Sequence, residues 1–206
     1  MNLYVSLAKK AVESYIGEKK IIEPPEDLPD KFLKKRAGTF VTIMKDSELR
    51  GCIGTYLPTK INIAQEIIHN AVAAATEDYR FGSIQKTELP YLSYTVYILS
   101  EPEFVKDIKE LNPKKFGIIV KTTPFVYPSG SEGEKRGQDL FDYPNENVVF
   151  DGKTPFKAGL LLPDLEGIDT IEKQISIACQ KGGINPEKEK IIIYRFSVEK
   201  YTQFDE

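Results

Sequence analysis

The hexapeptide Leu49-Arg50-Gly51-Cys52-Ile53-Gly54 places a thiol, a guanidinium and two glycines within six residues. In an extended segment side chains alternate, so Leu49, Gly51 and Ile53 share one face while Arg50 and Cys52 share the other. With Leu49 and Ile53 turned to a core, the thiol and the guanidinium stand side by side toward a cleft. A neighbouring cation favours thiolate over thiol, which makes Cys52 a nucleophile near neutral pH and Arg50 its partner for an anionic substrate. Gly51 and Gly54 let a ligand approach the backbone, whose N–H groups receive an anion. The alternative is that Cys52 packs as a small hydrophobe and that the glycines mark a bulge or a tight contact.

A second group follows in Glu77-Asp78-Tyr79-Arg80-Phe81. Either Asp78 pairs with Arg80 and shapes a pocket in which Arg80 is an anion fork, or both are solvated charges at a helix end. His69, the one histidine of the chain, falls with Asn62, Gln65, Glu66 and Thr76 on the polar side of a helix. It is either a solvated surface group or a general base for Cys52. Cys179 shares a helical face with Ile171, Ile175 and Ala178, which assigns it to a core.

These residues need a scaffold. Leu3, Leu7, Ala8, Ala11, Val12, Tyr15 and Ile16 recur at helical spacing, with Gly17 as the stop. Residues 39–44 form a strand, 45–48 a hairpin turn and 49–56 the return strand. Ala64, Ile67, Ile68, Ala71, Val72 and Ala75 stripe a second helix. Further strands are expected over 93–100, 116–121 and 158–162. Asp169 with Glu172 reads as a capping box opening a third helix that ends at Gly182-Gly183. Residues 191–198 alternate as a closing strand. Antiparallel hairpins interleaved with about three helices give an α+β fold. The stretch 124–156, rich in Pro, Gly and charge, is too long for an ordinary connection and reads as a loop insertion.

Composition sets the bounds. The chain has 206 residues, 41% hydrophobic and 29% charged, with 28 Lys and Arg against 31 Asp and Glu for a net charge of −3. That balance argues against a dedicated nucleic-acid or anionic-membrane binder. No apolar run approaches the roughly 18 residues of a membrane span, and the first residues lack a signal-peptide pattern. Two cysteines suit reduced thiols in a cytoplasm. Two cysteines and one histidine cannot supply the usual Cys/His set of a structural zinc site, so no metal is expected. No phosphate-cradling loop or cysteine cluster is present, so no cofactor is expected either.

The hexapeptide resembles the signature of the AMMECR-domain family, and specifically of its prokaryotic group called AmmeMemoRadiSam system protein A. Ala73-Ala74-Ala75 leading to Asp78, Arg80 and Phe81 is similar to the family's Asp-Pro-Arg-Phe segment, with Tyr79 in place of the proline. Leu99-Ser100-Glu101-Pro102, Gly159-Leu160-Leu161-Leu162-Pro163, Lys181-Gly182-Gly183-Ile184 and Arg195-Phe196 with Tyr201 extend the likeness over nearly the whole chain apart from the insertion. The resemblance implies one AMMECR-type domain over residues 1–206, built of antiparallel sheets and helices in two intimately packed lobes, with Arg50–Gly54 near a cleft between them. It also implies a shared pathway or complex with Memo-like and radical-SAM proteins.

The leading expectation is therefore a thiol-dependent enzyme acting on a small anionic substrate. Cys52 and Arg50 would be catalytic, and Gly51, Gly54, Asp78 and Arg80 would bind ligand. The alternative is a non-catalytic scaffold or ligand-delivery partner of the Memo-like and radical-SAM proteins. RNA or nucleotide modification ranks third, because the tyrosines and phenylalanines do not interleave with Lys and Arg into a base-stacking platform.

Overall fold

A computed structural model describes residues 2–122 and 157–203 of the chain. The expected insertion over 124–156 lies outside the described residues. The chain divides into two compact units, one built from residues 1–101 and 198–206 and the other from residues 102–197. Each has its own four-stranded antiparallel sheet, so the α+β class expected from the alternating patterns is observed.

The first unit begins with helix α1 (Leu3–Glu18), capped by the Asn2 side chain, which accepts from the Tyr4 N–H at 3.0 Å. Gly17 does not stop it. The helix ends at Lys19, whose φ of 59° turns the chain out of the helix. A short helix α2 (Asp30–Leu33), absent from the periodicity, brings Phe32 into the core, where its ring stacks on Tyr4 at 4.1 Å. Strands β1 (Thr39–Lys45) and β2 (Glu48–Thr55) form a hairpin through Asp46 and Ser47, both at positive φ. That left-handed pair matches the twist of a two-residue turn.

Helix α3 (Ile63–Thr76) follows, capped by Asn62, and then strand β3 (Leu92–Leu99). The sheet closes with β8 (Val198–Thr202), and its order β2-β1-β3-β8 leaves β2 at an edge. Helices α1 and α3 pack on one face. Val41, Ile43, Tyr94 and Val96 from the sheet meet Val5, Val12, Ile67 and Ala71 from the helices. Full burial of each larger aliphatic group stabilises the unit by about 1.5–3 kcal/mol. The opposite face carries Phe40, Thr42, Cys52 and Tyr97, all half-buried.

The second unit contains β4 (Glu103–Phe104), β5 (Gly117–Thr122), β6 (Ala158–Leu161), α4 (Ile171–Lys181) and β7 (Ile191–Phe196), its sheet ordered β4-β7-β5-β6. Cys179 is buried on α4 among Val120, Leu161 and Ile193, the core place its spacing gave it. Two expectations need correction here. Thr170 rather than Asp169 caps α4, accepting from the Lys173 N–H at 3.2 Å, while Asp169 pairs with Lys114 at 2.8 Å. The closing strand breaks at Ser197 into β7 and β8, which belong to different sheets. Ile193 and Phe196 are the residues β7 buries. No described helix is long and apolar enough to cross a membrane.

One glycine sets the helix-to-sheet spacing beside the hexapeptide. A Cβ built on Gly51 would lie 2.1 Å from the Ala74 carbonyl oxygen of α3. Backbone on both sides leaves little to yield. We therefore expect Gly51→Ala to destabilise the first unit by about 1–3 kcal/mol, read as a lower urea midpoint. An unchanged midpoint would show that α3 shifts freely on the sheet.

Candidate functional site

Asp78 lies just beyond α3 and is only 4% exposed. Its Oδ2 accepts from the backbone N–H of Cys52 at 2.9 Å. Since β2 is an edge strand, that N–H points away from β1 and would otherwise be an open edge donor. The same geometry makes Cys52 and Thr42, which are register partners, a non-hydrogen-bonded pair, the type whose side chains lie closer. Thr42 Oγ1 is 3.2 Å from Cys52 Sγ accordingly, with either atom able to donate. Tyr97 shares this face of the sheet, as its partner Phe40 is two residues from Thr42 on β1.

Asp78 also holds Arg80. Nε donates to Oδ1 at 2.9 Å and Nη2 to Oδ2 at 2.7 Å, and the Arg80 backbone N–H reaches Oδ1 at 3.2 Å. The guanidinium lies over the Phe81 ring, 5.4 Å from its centre. Oδ2 of Asp78 is therefore shared by the Cys52 backbone and the Arg80 side chain. The pairing of Asp78 with Arg80 is one of the two readings the sequence left open, and it is the one observed.

The electrostatics follow from these contacts. The Arg80 hydrogen bond holds the Asp78 carboxyl down at about 2, against burial, with the Cys52 and Arg80 backbone N–H groups helping. Arg80 is held in its charged form first by Asp78, and the Cys52 sulfur adds in the same direction. Burial pushes the Tyr97 hydroxyl up, and charge on Cys52 pushes it further, while its hydrogen bond with Thr42 pulls it down. Cys52, Thr42, Tyr97, Asp78 and Arg80 thus form one electrostatic group.

Arg50 is placed otherwise. The β1–β2 register runs from Ile43 opposite Gly51 to Met44 opposite Leu49, which leaves Arg50 as the extra residue of a bulge. Its Nε and Nη2 donate to Glu88 at 2.9 and 3.0 Å, and its Nη1 donates to the Gly82 carbonyl at 2.8 Å. Lys45 reaches the same carboxylate at 3.2 Å. The expectation that Arg50 stands beside the thiol as its cation is corrected by this geometry: the bulge breaks the alternation, and Arg50 clamps the 82–88 segment to the hairpin. Arg80 is a cation that responds to the charge of Cys52.

The glycines also differ from expectation. The space beside Gly51 is filled by the Ala74 carbonyl, and a Cβ on Gly54 would lie 2.2 Å from the Phe40 ring. Both are close-packing glycines, so neither opens the backbone to a ligand on that side. His69 is exposed on α3, which packs on the face of the sheet opposite to Cys52, so it is a surface group and not the thiol's base. It borders a shallow cavity of about 370 Å³ with Tyr15, Ile22, Lys60 and Gln65.

Sequence reasoning missed Thr42, Tyr97 and Glu88. Thr42 reaches Cys52 through strand pairing and Tyr97 reaches Thr42 through a side-chain hydrogen bond, and no local pattern announces either. Glu88 had a signal, a capping box with Gln85 opening the 3₁₀ turn Lys86–Tyr91. Among the described residues no group of His, Cys, Asp and Glu is arranged to hold a metal ion.

A family profile described as AMMECR1 matches residues 5–201. The chain belongs to the AMMECR1 family. A Thermotoga maritima protein is 45% identical over 96% of both chains. A Clostridium acetobutylicum protein, CA_C1420, is 34% identical over 97% of this chain, but the match occupies 36% of that longer protein. The solved structure of the uncharacterized protein PH0010 from Pyrococcus horikoshii, at 26% identity, superposes with a TM-score of 0.74 over 98% of this chain and 90% of that one. The two chains thus share a fold.

Acid should unlock the two arginine clamps together. Asp78 and Glu88 have ordinary values of 3.8 and 4.5 and are both held at about 2 in the fold, Glu88 chiefly by its Arg50 hydrogen bond. A depressed carboxylate contributes stability above its unfolded value and loses it as pH falls through the folded one. The urea midpoint of the native protein should therefore exceed that of Glu88→Gln at pH 7, with the gap closing between about pH 5 and 2. A gap that stays constant down to pH 2 would contradict the clamp.

Proposed function

We propose that this AMMECR1-family chain is a thiol-dependent enzyme that acts on a small anionic substrate, with Cys52 as the nucleophile. The observation that carries the reading is the shared Asp78 oxygen, which fixes the Arg80 guanidinium beside the residue that bears the thiol. Cys52 is half-buried as a residue, and its sulfur, 3.2 Å from the Thr42 hydroxyl, has a group to take or give a hydrogen bond as its proton leaves. A nearby cation favours the thiolate. The sulfur lone pair then forms the S–C bond, and the leaving group departs with its electron pair, in an acyl or group transfer. Asp78 and Thr42 position and polarise; neither touches the reacting carbon.

The finer placement, in the AmmeMemoRadiSam system protein A group and in a cytoplasmic pathway with Memo-like and radical-SAM proteins, is proposed on the residue likeness described above. A second reading, a scaffold or ligand-delivery component, has one observation in its favour. The match inside CA_C1420 occupies a minor part of a longer chain, so this fold occurs joined to further sequence in one polypeptide.

Reaction with iodoacetamide separates the two. Cys52 should be modified at pH 7 faster than an ordinary exposed thiol, as read by intact mass and peptide mapping, and Arg80→Ala should slow it several-fold. Thr42→Val should slow it too, with Thr42→Ser near the native rate. Cys52→Ser should abolish turnover once a substrate is found and leave the fold intact. A Cys52 that reacts only above pH 9, whatever stands at position 80, would leave the scaffold reading, which predicts co-purification with Memo-like or radical-SAM proteins independent of Cys52.

A further inference from the structure

Two arginines of the first unit are each gripped along one edge by a carboxylate, and the contrast between them bears on the substrate. Arg50 gives Nε and Nη2 to Glu88 and Nη1 to the Gly82 carbonyl, and its side chain is 18% exposed. All three of its nitrogens are engaged by the fold. Arg80 gives the same two nitrogens, Nε and Nη2, to Asp78, but its side chain is 44% exposed. Among the described residues its Nη1 meets no acceptor. The outer edge of that guanidinium, Nη1 with the second Nη2 hydrogen, therefore keeps two parallel N–H donors for an incoming anion.

This edge is held in place. Asp78 fixes one side of the plane and the Phe81 ring lies against its face. Such a fork loses little freedom on binding and matches the two oxygens of a carboxylate. It is also near the thiol's backbone: Asp78 Oδ2 accepts from Cys52 N–H at 2.9 Å and from Arg80 Nη2 at 2.7 Å. Two hydrogen bonds through one oxygen link the fork to the backbone of the nucleophile-bearing residue.

We propose that the outer edge of Arg80 anchors the carboxylate of a short organic acid whose neighbouring carbon is attacked by Cys52. The proposal rests on Cys52 being the nucleophile and adds the substrate class to it. In the step it describes, sulfur forms a bond to the carbon next to the carboxylate. The bond from that carbon to its leaving group breaks with the electron pair going to the leaving group, and the thiol proton passes to solvent. No oxidant or further reactant is needed.

Iodoacetate and iodoacetamide form a matched pair of probes. Both form S–CH₂ and release iodide, and they differ only in carrying a carboxylate or a neutral amide beside the reacting carbon. The full-length protein should react with iodoacetate at least as fast as with iodoacetamide at Cys52, with rates followed by mass spectrometry so that buried Cys179 is scored separately. Arg80→Gln and Arg80→Ala should each lower the iodoacetate-to-iodoacetamide ratio about tenfold, the scale of one charge-assisted bidentate contact. Glycolate should protect Cys52 from iodoacetate in the native protein and lose that effect in Arg80→Gln.

An unchanged ratio in both Arg80 variants would overturn the proposal while leaving the nucleophile intact. Protection by inorganic phosphate without protection by glycolate would overturn the carboxylate assignment and make the fork a phosphoryl site. A Cys52 inert to both reagents would remove the nucleophile itself, and the substrate class with it.

Discussion

The Asp78 carboxylate is the constraint on which the rest of the first unit's site depends. It sits where α3 ends and the edge of the sheet begins, and it closes two open valences at once: the outward N–H of Cys52 and one edge of the Arg80 guanidinium. A nearly buried carboxylate is tolerated because four N–H donors satisfy it, three from Arg80 and one from β2. Remove that charge and the edge strand, the cation and the sulfur no longer share a reference point. The position of Asp78 follows in turn from how closely α3 approaches β2, and the missing side chain of Gly51 allows that approach by admitting the Ala74 carbonyl.

A second carboxylate, Glu66, secures the other end of β2. It is fully buried on α3 and accepts from the Thr55 hydroxyl, from the Thr59 hydroxyl and N–H, and from the Lys60 N–H, at 2.6–2.9 Å. Thr55 also accepts from Asn70, which reaches across to Thr39 on β1. Helix α3 and the turn beyond it thus hold the edge strand at two points with buried polar groups, and the Ala74 carbonyl makes the close contact between them at Gly51. A strand held this way keeps Cys52 in register opposite Thr42, and a one-residue slip would turn the sulfur to the helix side.

Much of this was legible from local pattern, and the failures have physical causes. The α3 stripe, the β1–β2 hairpin and the core role of Cys179 follow from periodicity and turn chemistry. The pairing of Asp78 with Arg80 was visible as one of two readings, since residues two apart beyond a helix end easily meet. Alternation carried through the hexapeptide without a break assigns Arg50 to the thiol, and the bulge at Arg50 breaks it. A bulge depends on what the partner strand and the neighbouring segment require, here Glu88 and Gly82, and the hexapeptide alone does not encode that. Thr42 and Tyr97 are invisible for a related reason: Thr42 meets the sulfur through cross-strand pairing, and Tyr97 joins through its hydrogen bond to Thr42. The split of 191–202 into two strands of different sheets was hidden because the apolar alternation runs on across Ser197.

The most direct test is a pH titration of the Cys52 backbone amide by ¹⁵N-resolved NMR. That proton lies on Asp78, so its chemical shift should follow the protonation of that carboxyl, with a midpoint near 2 in the native protein. In Arg80→Gln the midpoint should rise toward the ordinary value of 3.8, because the hydrogen bond that depresses it is gone. An amide that ignores acid, or that titrates at one and the same pH in both proteins, would contradict the linkage of the Cys52 backbone, the carboxylate and the guanidinium.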